Sequence, residues 1–213
     1  MAAEIKAVLF DYGCVLCMPQ LESDLEAMSE CLKAPLAPVK AAYWNFRDEF
    51  DLGVLSGAEY WHEIALHCGL TPAQEQILRL IELDNLGWSR PNPVMAEWAG
   101  RLRESGIATA IVSNMPSDIR LFLNEVEWLP GFDHYSYSCD LGSMKPDAKI
   151  YEHTLEALNV HPSNALFIDD RPINVEAAER LGINGFVFND AQSLHSYAQS
   201  VGLPELRFGA AIV

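Results

Sequence analysis

The chain has 213 residues, of which 50% are hydrophobic and 21% are charged, and this globular composition excludes a largely disordered chain. Fourteen basic and thirty acidic residues give a formal net charge of −16, and a field of that sign repels nucleic acid and anionic membranes. No apolar run approaches the roughly 18 residues that a membrane span needs, and the first residues do not resemble a secretory signal. Five scattered cysteines predict reduced thiols. We therefore expect a cytoplasmic protein that binds neither nucleic acid nor a membrane.

The first part of the chain predicts one strand and then only helices. Residues 6–10 predict a short buried strand, because the lysine at its start is followed by an unbroken apolar run up to Asp11, which is typical of a parallel strand covered on both faces. Helical patterns follow at residues 21–32, 37–50, 57–68 and 72–86. Thr71 with Pro72 predicts the start of the last of these helices, as an N-cap followed by proline at the first helical position.

Beyond Pro93, strands alternate with helices. Helices are predicted at 93–105, 117–127, 147–158, 173–181 and 191–201, and strands at 107–112, 134–138, 165–168 and 185–188. This alternation predicts crossover connections and a parallel sheet that the first strand joins. We therefore predict an α/β fold, with a three-layer Rossmann-like parallel sheet core from residues 1–16 and 90–213. An inserted all-helical cap domain is predicted at residues 17–89.

Polar side chains follow three of the predicted strands. Asp11 follows the first strand, Ser113 and Asn114 follow the second, and Asp169 with Asp170 follows the fourth. In open α/β sheets the ligand site lies beyond the carboxyl ends of the strands, so we expect these residues to meet in one site. Taken singly, each could be a helix cap or an ordinary loop residue. Their combination favours a shared site.

Four segments, in a fixed order, resemble the motifs of the haloacid dehalogenase-like (HAD) hydrolase superfamily. They are residues 8–16 around Asp11, residues 111–114, residues 145–151 beginning with Lys145, and residues 167–174. Each motif alone is weak, but four in order at predicted strand ends or loops make a specific signal. The resemblance implies a type 1 helical cap, and it is strongest to small sugar-phosphate phosphatases of the glucose-1-phosphatase kind.

A nucleophile and a metal site can be predicted from these residues. Asp11 leaves the first strand placed to attack phosphorus, and a carboxylate nucleophile divides one difficult step into two through an aspartyl-phosphate. Two anions must then meet, so a cation is required, and Asp11 with Asp170 could clamp one Mg²⁺ through oxygen ligands. The resemblance implies that the Gly13 carbonyl is a third ligand.

Further residues are predicted to support the phosphoryl group and the metal. The Ser113 hydroxyl and the Asn114 amide can hold phosphoryl oxygens, and Lys145 adds positive charge for the transition state. Asp169 is predicted to lie behind the metal ligands, where it orients a metal-bound water or Lys145. Asn174, one helical turn after the acidic pair, is predicted to support the same arrangement.

Gly13 departs from the pattern of the superfamily's phosphatases, which usually carry a second aspartate at this position. That aspartate acts as general acid and base, and its loss typically lowers the rate by a factor of about 10² to 10⁴. Three explanations stay open: a substrate with a good leaving group, such as a sugar 1-phosphate; a proton carrier from the cap; or a protein that binds more than it turns over. The candidate proton carriers are Asp48, Asp51 and His62. The subgroup that the chain resembles also has glycine here, which favours the first explanation.

The second and third predicted cap helices are rich in aromatic residues, and most of these predict a cap core. They are Tyr43, Trp44, Phe46, Phe50, Tyr60 and Trp61. A few of them, with Arg47 and Asp51, are expected to face the cleft and select or bind the phosphorylated substrate.

The sequence as a whole predicts a Mg²⁺-dependent phosphatase acting on a small phosphorylated metabolite, as a monomer or homodimer. One alternative is a haloacid dehalogenase, which would use the same aspartate to attack carbon. Such an enzyme needs no metal and lacks the acidic pair found at 169–170, so the pair counts against it. The other alternative is a catalytically weak phosphoester-binding module, which Gly13 makes plausible.

Overall fold

A five-stranded, fully parallel sheet forms the centre of the molecule in the computed structural model, which describes residues 4–129 and 131–208. The strands are β1 (Ala7–Phe10), β2 (Ala108–Ser113), β3 (His134–Tyr137), β4 (Ala165–Asp169) and β5 (Asn184–Val187). Their spatial order is β3-β2-β1-β4-β5. β1 therefore pairs with β2 on one side and β4 on the other, which brings the carboxyl ends of three polar-ended strands together. The predicted Rossmann-like α/β fold is confirmed.

Helices cover both faces of the sheet and bury its central strand completely. They are α6 (Pro93–Glu104), α7 (Ser117–Leu123), α8 (Ser138–Leu141), α9 (Ala148–Leu158), α10 (Pro172–Arg180) and α11 (Ala191–Ser200). Val8 and Phe10 share one apolar cluster with residues of α6 and α11, whereas Leu9 belongs to a cluster with residues of α9 and α10. β1 is apolar throughout because its alternate side chains enter two separate cores.

Five further helices lie between β1 and α6. They are α1 (Glu22–Leu32), α2 (Leu36–Asn45), α3 (Arg47–Asp51), α4 (Gly57–His67) and α5 (Gln74–Gly87). Their apolar side chains form a cluster of their own, built around Met28, Tyr60, Trp61 and Leu80. This separate core supports the predicted cap domain at residues 17–89, whose boundaries stay a prediction.

The two connections between the sheet and the helical insertion run side by side. Cys17 forms an isolated antiparallel bridge with Pro91, and the Met18 N–H donates to the Arg90 carbonyl at 2.8 Å. The Asn92 N–H in turn donates to the Leu16 carbonyl at 2.8 Å. The insertion thus leaves and rejoins the core at a single place.

Several predicted helix boundaries were wrong. The helix predicted at 37–50 is two helices, α2 and α3, with a kink at Phe46, whose φ and ψ are −97° and 2°. The helix predicted to start at Pro72 starts at Gln74, because the Gln76 side chain accepts the Ala73 N–H at 3.0 Å and so fixes the first turn there. The helix predicted at 117–127 ends at Leu123, and the short helix α8 was not predicted.

Two expectations drawn from composition were also tested. The five cysteines are all free thiols. None of the described helices combines the length and the apolar character that crossing a membrane would require.

Candidate active site

A cavity of about 360 Å³ lies between the carboxyl edge of the sheet and the helical insertion. Its wall combines residues of the core with residues of α2, α3 and the segment after α5. From the core come Asp11, Gly13, Ser113, Asn114, Lys145, Asp170 and Asn174, and from the insertion come Trp44, Arg47, Asp48, Asp51 and Trp88. Almost all residues predicted for the site therefore share one cavity.

Asp11 stands where β1 ends and the chain turns away from the sheet. Its N–H donates to the Ile168 carbonyl at 2.9 Å, and its own Oδ1 accepts the Tyr12 N–H at 2.6 Å. The turn continues through Cys14, whose φ of 59° is left-handed. The Asp11 side chain is 11% exposed, and among the described residues no group donates a hydrogen bond to Oδ2. One oxygen is therefore held in place and the other is free to react.

Lys145 is buried between two carboxylates. Its Nζ lies 2.8 Å from Oδ1 of Asp11 and 2.7 Å from Oδ2 of Asp169. Asn114 fixes the backbone of this lysine on both sides, because its Oδ1 accepts the Lys145 N–H at 2.8 Å and its Nδ2 donates to the Lys145 carbonyl at 3.0 Å. The sequence predicted a phosphate contact for Asn114. The structure adds a positioning task, which is to hold Lys145 against Asp11.

Asp169 is fully buried and lies behind the cavity wall. Besides Lys145, it accepts the Arg171 N–H at 2.8 Å and both of its oxygens accept from Asn174 Nδ2 at 3.1 Å. Burial alone would raise the pKa of Asp169, but the charge of Lys145 and these hydrogen bonds hold it below the ordinary value. An ionised Asp169 in this place bonds to Lys145, and the prediction that it orients this lysine or a metal-bound water stays a prediction.

Asp170 completes a cluster of three acids. Oxygen atoms of Asp11, Asp169 and Asp170 all lie within 4.8 Å of one another. Burial raises the pKa of Asp11 to about 7 against the lowering effect of Lys145, and burial together with the charge of Asp169 raises the pKa of Asp170. Three carboxylates this close together repel one another, and Lys145 bonds to only two of them. A divalent cation would offset this repulsion.

The donor set fits the magnesium ion that the fold family implies. Mg²⁺ prefers oxygen ligands and keeps several of its waters, so two carboxylates at the cavity floor suffice to hold it. Asn174 Oδ1 is buried and has no hydrogen-bond partner among the described residues, which leaves an acceptor for a metal-bound water. Asp11 and Asp170 are therefore the residues that would hold the ion, with Asp169 and Asn174 behind them.

Gly13 lies on the cavity wall in an ordinary extended conformation, with φ −63° and ψ 136°, so the backbone does not require glycine here. A Cβ at this position would lie 3.4 Å from Cζ3 of Trp88. Trp88 was not among the predicted site residues. Its only sequence signal is its place as the last aromatic residue of the predicted cap, and its position beside Gly13 depends on how the insertion docks.

Arg47 and Asp51 form a buried ion pair in the wall contributed by the insertion. Arg47 Nε lies 2.8 Å from Asp51 Oδ1, and its Nη1 donates to the Tyr43 hydroxyl at 2.8 Å and lies 3.7 Å from Asp84 Oδ2. Both residues line the cavity, where the sequence predicted a substrate contact. Two carboxylates already balance the charge of Arg47, so a phosphate would have to compete with them.

The remaining predicted residues divide between the cavity and the core of the insertion. Trp44, 49% exposed, and Asp48 line the cavity, and so does the buried Ser113. His62 does not line it, which leaves Asp48 and Asp51 as the predicted proton carriers that do. The other aromatic residues are packed inside the insertion, as predicted: Tyr43, Phe46, Phe50, Tyr60 and Trp61.

Comparison with known protein families decides the assignment of the fold. The sequence profile of the haloacid dehalogenase-like hydrolase family matches residues 5–182. The chain belongs to this family. The match spans β1 to the end of α10, so it includes all four motifs of this HAD-like hydrolase.

Curated relatives of this HAD-like hydrolase include enzymes named for phosphate ester hydrolysis. A sesquiterpene phosphatase of Aspergillus oryzae is 28% identical over 193 residues, which cover 90% of this chain and 93% of that protein. Flavin mononucleotide hydrolase 1 of Arabidopsis thaliana is 39% identical over 66 residues, or 31% of this chain and 27% of that protein. The closer resemblance to glucose-1-phosphatases stays a prediction.

Solved structures of similar fold include two kinds of HAD enzyme. A HAD family enzyme of Bacteroides thetaiotaomicron, crystallised with magnesium and inorganic phosphate, has a TM-score of 0.63 at 20% identity and covers 89% of this chain and 98% of its own. The L-2-haloacid dehalogenase of Xanthobacter autotrophicus has a TM-score of 0.65 at 19% identity and covers 92% and 84%. At these identities the similarity establishes the fold alone.

Proposed function

We propose that this HAD-like hydrolase is a Mg²⁺-dependent phosphatase that cleaves a small phosphomonoester through an aspartyl-phosphate on Asp11. The observation that carries the proposal is the Asp11 carboxylate itself. One of its oxygens is fixed by Lys145 at 2.8 Å, the other is free toward the cavity, and Asp170 lies beside it. This is the arrangement that an attacking carboxylate and a bound cation require.

We assign the residues to the two chemical steps of this reaction as follows. Asp11 Oδ2 attacks phosphorus, the bond between phosphorus and the ester oxygen breaks, and the ester oxygen leaves as an alkoxide that takes its proton from water. Water then attacks phosphorus of the aspartyl-phosphate, which releases inorganic phosphate and restores the carboxylate. Lys145 places its charge on the attacking side, and the Ser113 hydroxyl can donate to a phosphoryl oxygen. When bound by Asp11, Asp170 and the Gly13 carbonyl, Mg²⁺ supplies positive charge that offsets the two anions.

Two substrate classes are compatible with this site. The sequence resemblance favours a sugar 1-phosphate, and the sesquiterpene phosphatase similarity favours the phosphate of an apolar alcohol. The net charge of −16 repels either anion at long range. At physiological salt that field decays over about 8 Å, so Lys145 and the bound cation dominate near Asp11.

The alternative chemistry on carbon receives less support. A dehalogenase attacks with the same aspartate but needs no metal, whereas here three acids crowd within 4.8 Å of one another. The third possibility, binding with weak turnover, rests on Gly13 and the missing acid/base group.

The direct test measures hydrolysis of 4-nitrophenyl phosphate with Mg²⁺ by the native protein and by Asp11→Asn. We expect the substitution to lower kcat by about 10³-fold or more, because it removes the nucleophile. Asp190→Asn is the matched control, since Asp190 is an exposed N-cap residue of α11 that asparagine can replace.

Two results would contradict the proposal. They are hydrolysis that survives Asp11→Asn, and hydrolysis that is unaffected by EDTA. Chloride release from 2-chloropropionate in the presence of EDTA would instead identify a dehalogenase.

A further inference from the structure

We propose that Trp88 determines which leaving groups the enzyme accepts, because its indole bounds the space beside Gly13 and contacts the alcohol part of the ester. The inference rests on the proposed phosphatase function and names the substrate class of the same site. The class is a phosphomonoester of an uncharged alcohol that carries a planar or apolar group near the ester oxygen.

The position of Trp88 follows from its contact with Gly13. Gly13 lies two residues after Asp11, so its missing side chain leaves space next to the nucleophile. The nearest atom to a Cβ placed there is Trp88 Cζ3 at 3.4 Å, and among the described residues no other atom outside the adjoining turn of the chain lies within 4 Å. An aromatic carbon of Trp88 therefore borders this space. Trp88 places no proton-donating group there.

The indole is held rigidly in this position. The Tyr12 hydroxyl donates to the Trp88 carbonyl at 2.6 Å, and the indole N–H donates to the Tyr43 hydroxyl at 3.0 Å. The guanidinium of Arg47 lies 5.5 Å from the ring centroid. Because its single N–H is already used, the ring offers a substrate only apolar surface. A fixed surface of this kind binds without the entropic loss of ordering a mobile side chain.

The rest of this wall suits an uncharged leaving group. Apolar side chains from the core and the insertion continue the surface of Trp88 around the cavity: Tyr12, Trp44, Met115, Ile119 and Met144. Arg47 is balanced by Asp51 and Asp84, and Asp48 adds a negative charge to the wall. On this wall a second phosphate or a carboxylate on the leaving group would find no unbalanced positive charge. A further arginine, Arg171, lines the cavity from the core side, at the N-cap of α10.

The test compares phenyl phosphate with ethyl phosphate for the native protein, Trp88→Ala and Trp88→Phe. We expect Trp88→Ala to lower kcat/KM for phenyl phosphate by about tenfold, mainly through KM, since one aromatic contact contributes an effect of this size. For ethyl phosphate the change stays within about twofold, and so does the inhibition constant of inorganic phosphate. Trp88→Phe keeps a ring and restores most of the preference for phenyl phosphate.

Phe208→Ala is the control for a general loss of aromatic surface. Phe208 is 45% exposed and does not line the cavity. We expect Phe208→Ala to change the ratio of the two kcat/KM values by less than about threefold. Equal losses for phenyl and ethyl phosphate in Trp88→Ala would overturn the proposal, because they would indicate a structural role only.

A binding measurement separates this inference from the proposed reaction. The Asp11→Asn protein, with and without Trp88→Ala, is titrated with phenylphosphonate and methylphosphonate in the presence of Mg²⁺. We expect the preference for phenylphosphonate to fall about tenfold when Trp88 is removed. An unchanged preference alongside normal ester hydrolysis refutes the role of Trp88 and leaves the phosphatase intact. Absence of hydrolysis of every ester refutes the phosphatase, while the titration still decides the role of Trp88.

Discussion

Asp51 is a buried acid in the cavity wall, where burial opposes its ionisation and Arg47 favours it. Burial raises the pKa of Asp51 to about 7, although the Arg47 guanidinium lowers it, and the charges of Asp84 and Asp48 raise it further. In the unfolded chain the same carboxyl has a pKa near 3.8. Between these two values the folded protein holds more protons than the unfolded chain, so its free energy of unfolding falls as the pH rises.

We expect Asp51→Asn to remove this pH dependence. The contribution of Asp51 to the free energy of unfolding is fully present below about pH 4 and is lost as the pH rises through about 7. Over this range the Asp51→Asn variant therefore gains stability relative to the native protein. The gain is about 1.4 kcal/mol for each unit by which the pKa is shifted. Urea denaturation of both proteins at pH 4.5, 5.5, 6.5 and 7.5 measures it.

Glu49→Gln is the control for this experiment, because Glu49 lies on the same short helix with an exposed side chain and is not among the charges that act on Asp51. Its unfolding free energy should follow that of the native protein at every pH. If the unfolding free energies of Asp51→Asn and of the native protein also stay parallel over this pH range, the burial of Asp51 does not govern its ionisation.

At the scale of single residues, the site residues that could be predicted from the sequence are those that follow strands of the sheet. Asp11 and Asp170 follow adjacent parallel strands, and parallel strands bring their carboxyl ends to one edge. Trp88 and the bridging contacts of Asn114 could not be predicted. They depend on how the insertion docks and on which loop lies opposite, and neither leaves a periodic pattern in the sequence.

At the scale of secondary structure, the elements were predicted better than their ends. The helix pattern continues through Phe46 because its apolar residues keep the helical spacing, yet the chain kinks there and Arg47 bonds to Tyr43 on one side and Asp51 on the other. Buried polar contacts of this kind decide where a helix bends, and hydrophobic periodicity does not report them.

The packing of β5 against α10 provides a test at this scale. A Cβ at Gly185 would lie 2.5 Å from Val175 Cγ1 and 2.8 Å from Glu179 Cγ. We expect Gly185→Ala to lower the free energy of unfolding by about 1 to 3 kcal/mol, because a methyl group there forces the helix away from the strand. Since α10 begins directly after Asp170, activity should fall as well. Chemical denaturation and 4-nitrophenyl phosphate hydrolysis measure the two effects.

Gly100→Ala is the matched control. Gly100 lies inside α6, and a Cβ there would meet nothing within 4 Å. Alanine in a helix interior is more favourable than glycine by about 1 kcal/mol, so this variant should be as stable as the native protein or more so. Equal destabilisation by both substitutions would show that close packing at Gly185 is not the cause.

At the scale of the whole molecule, acidic residues outnumber basic ones by sixteen, and three acids meet at the cavity floor. A cation that binds only the folded protein stabilises it by about 2.7 kcal/mol at a hundred times its Kd. For a chain of this length we therefore expect saturating Mg²⁺ to raise Tm by about 5 to 10 °C. Thermal unfolding with Mg²⁺ or with EDTA measures this shift.

Two controls separate the site from general screening of charge. Sodium chloride at the same ionic strength should give a much smaller increase in Tm, and Asp170→Asn should lose most of the Mg²⁺ effect. An equal increase with sodium chloride would show that the ion acts on the net charge and not at Asp170.

The overall architecture could be predicted because alternating strands and helices leave a periodic signal over most of the chain. The strand order, with β1 at the centre, also follows from the fold family that the four motifs indicate. The cytoplasmic location and the choice between monomer and homodimer stay predictions, since neither depends on contacts within one chain.

The paired connections at Cys17–Pro91 make the helical insertion a replaceable module. Because Leu16 and Asn92 are already hydrogen-bonded across the junction, a short turn could join them without stretching the sheet. Asp11 would stay on the remaining part of the molecule, while Trp88 and Arg47 would leave with the excised part. Exchange of this module between related chains would thus be a route to new substrates without rebuilding the chemistry.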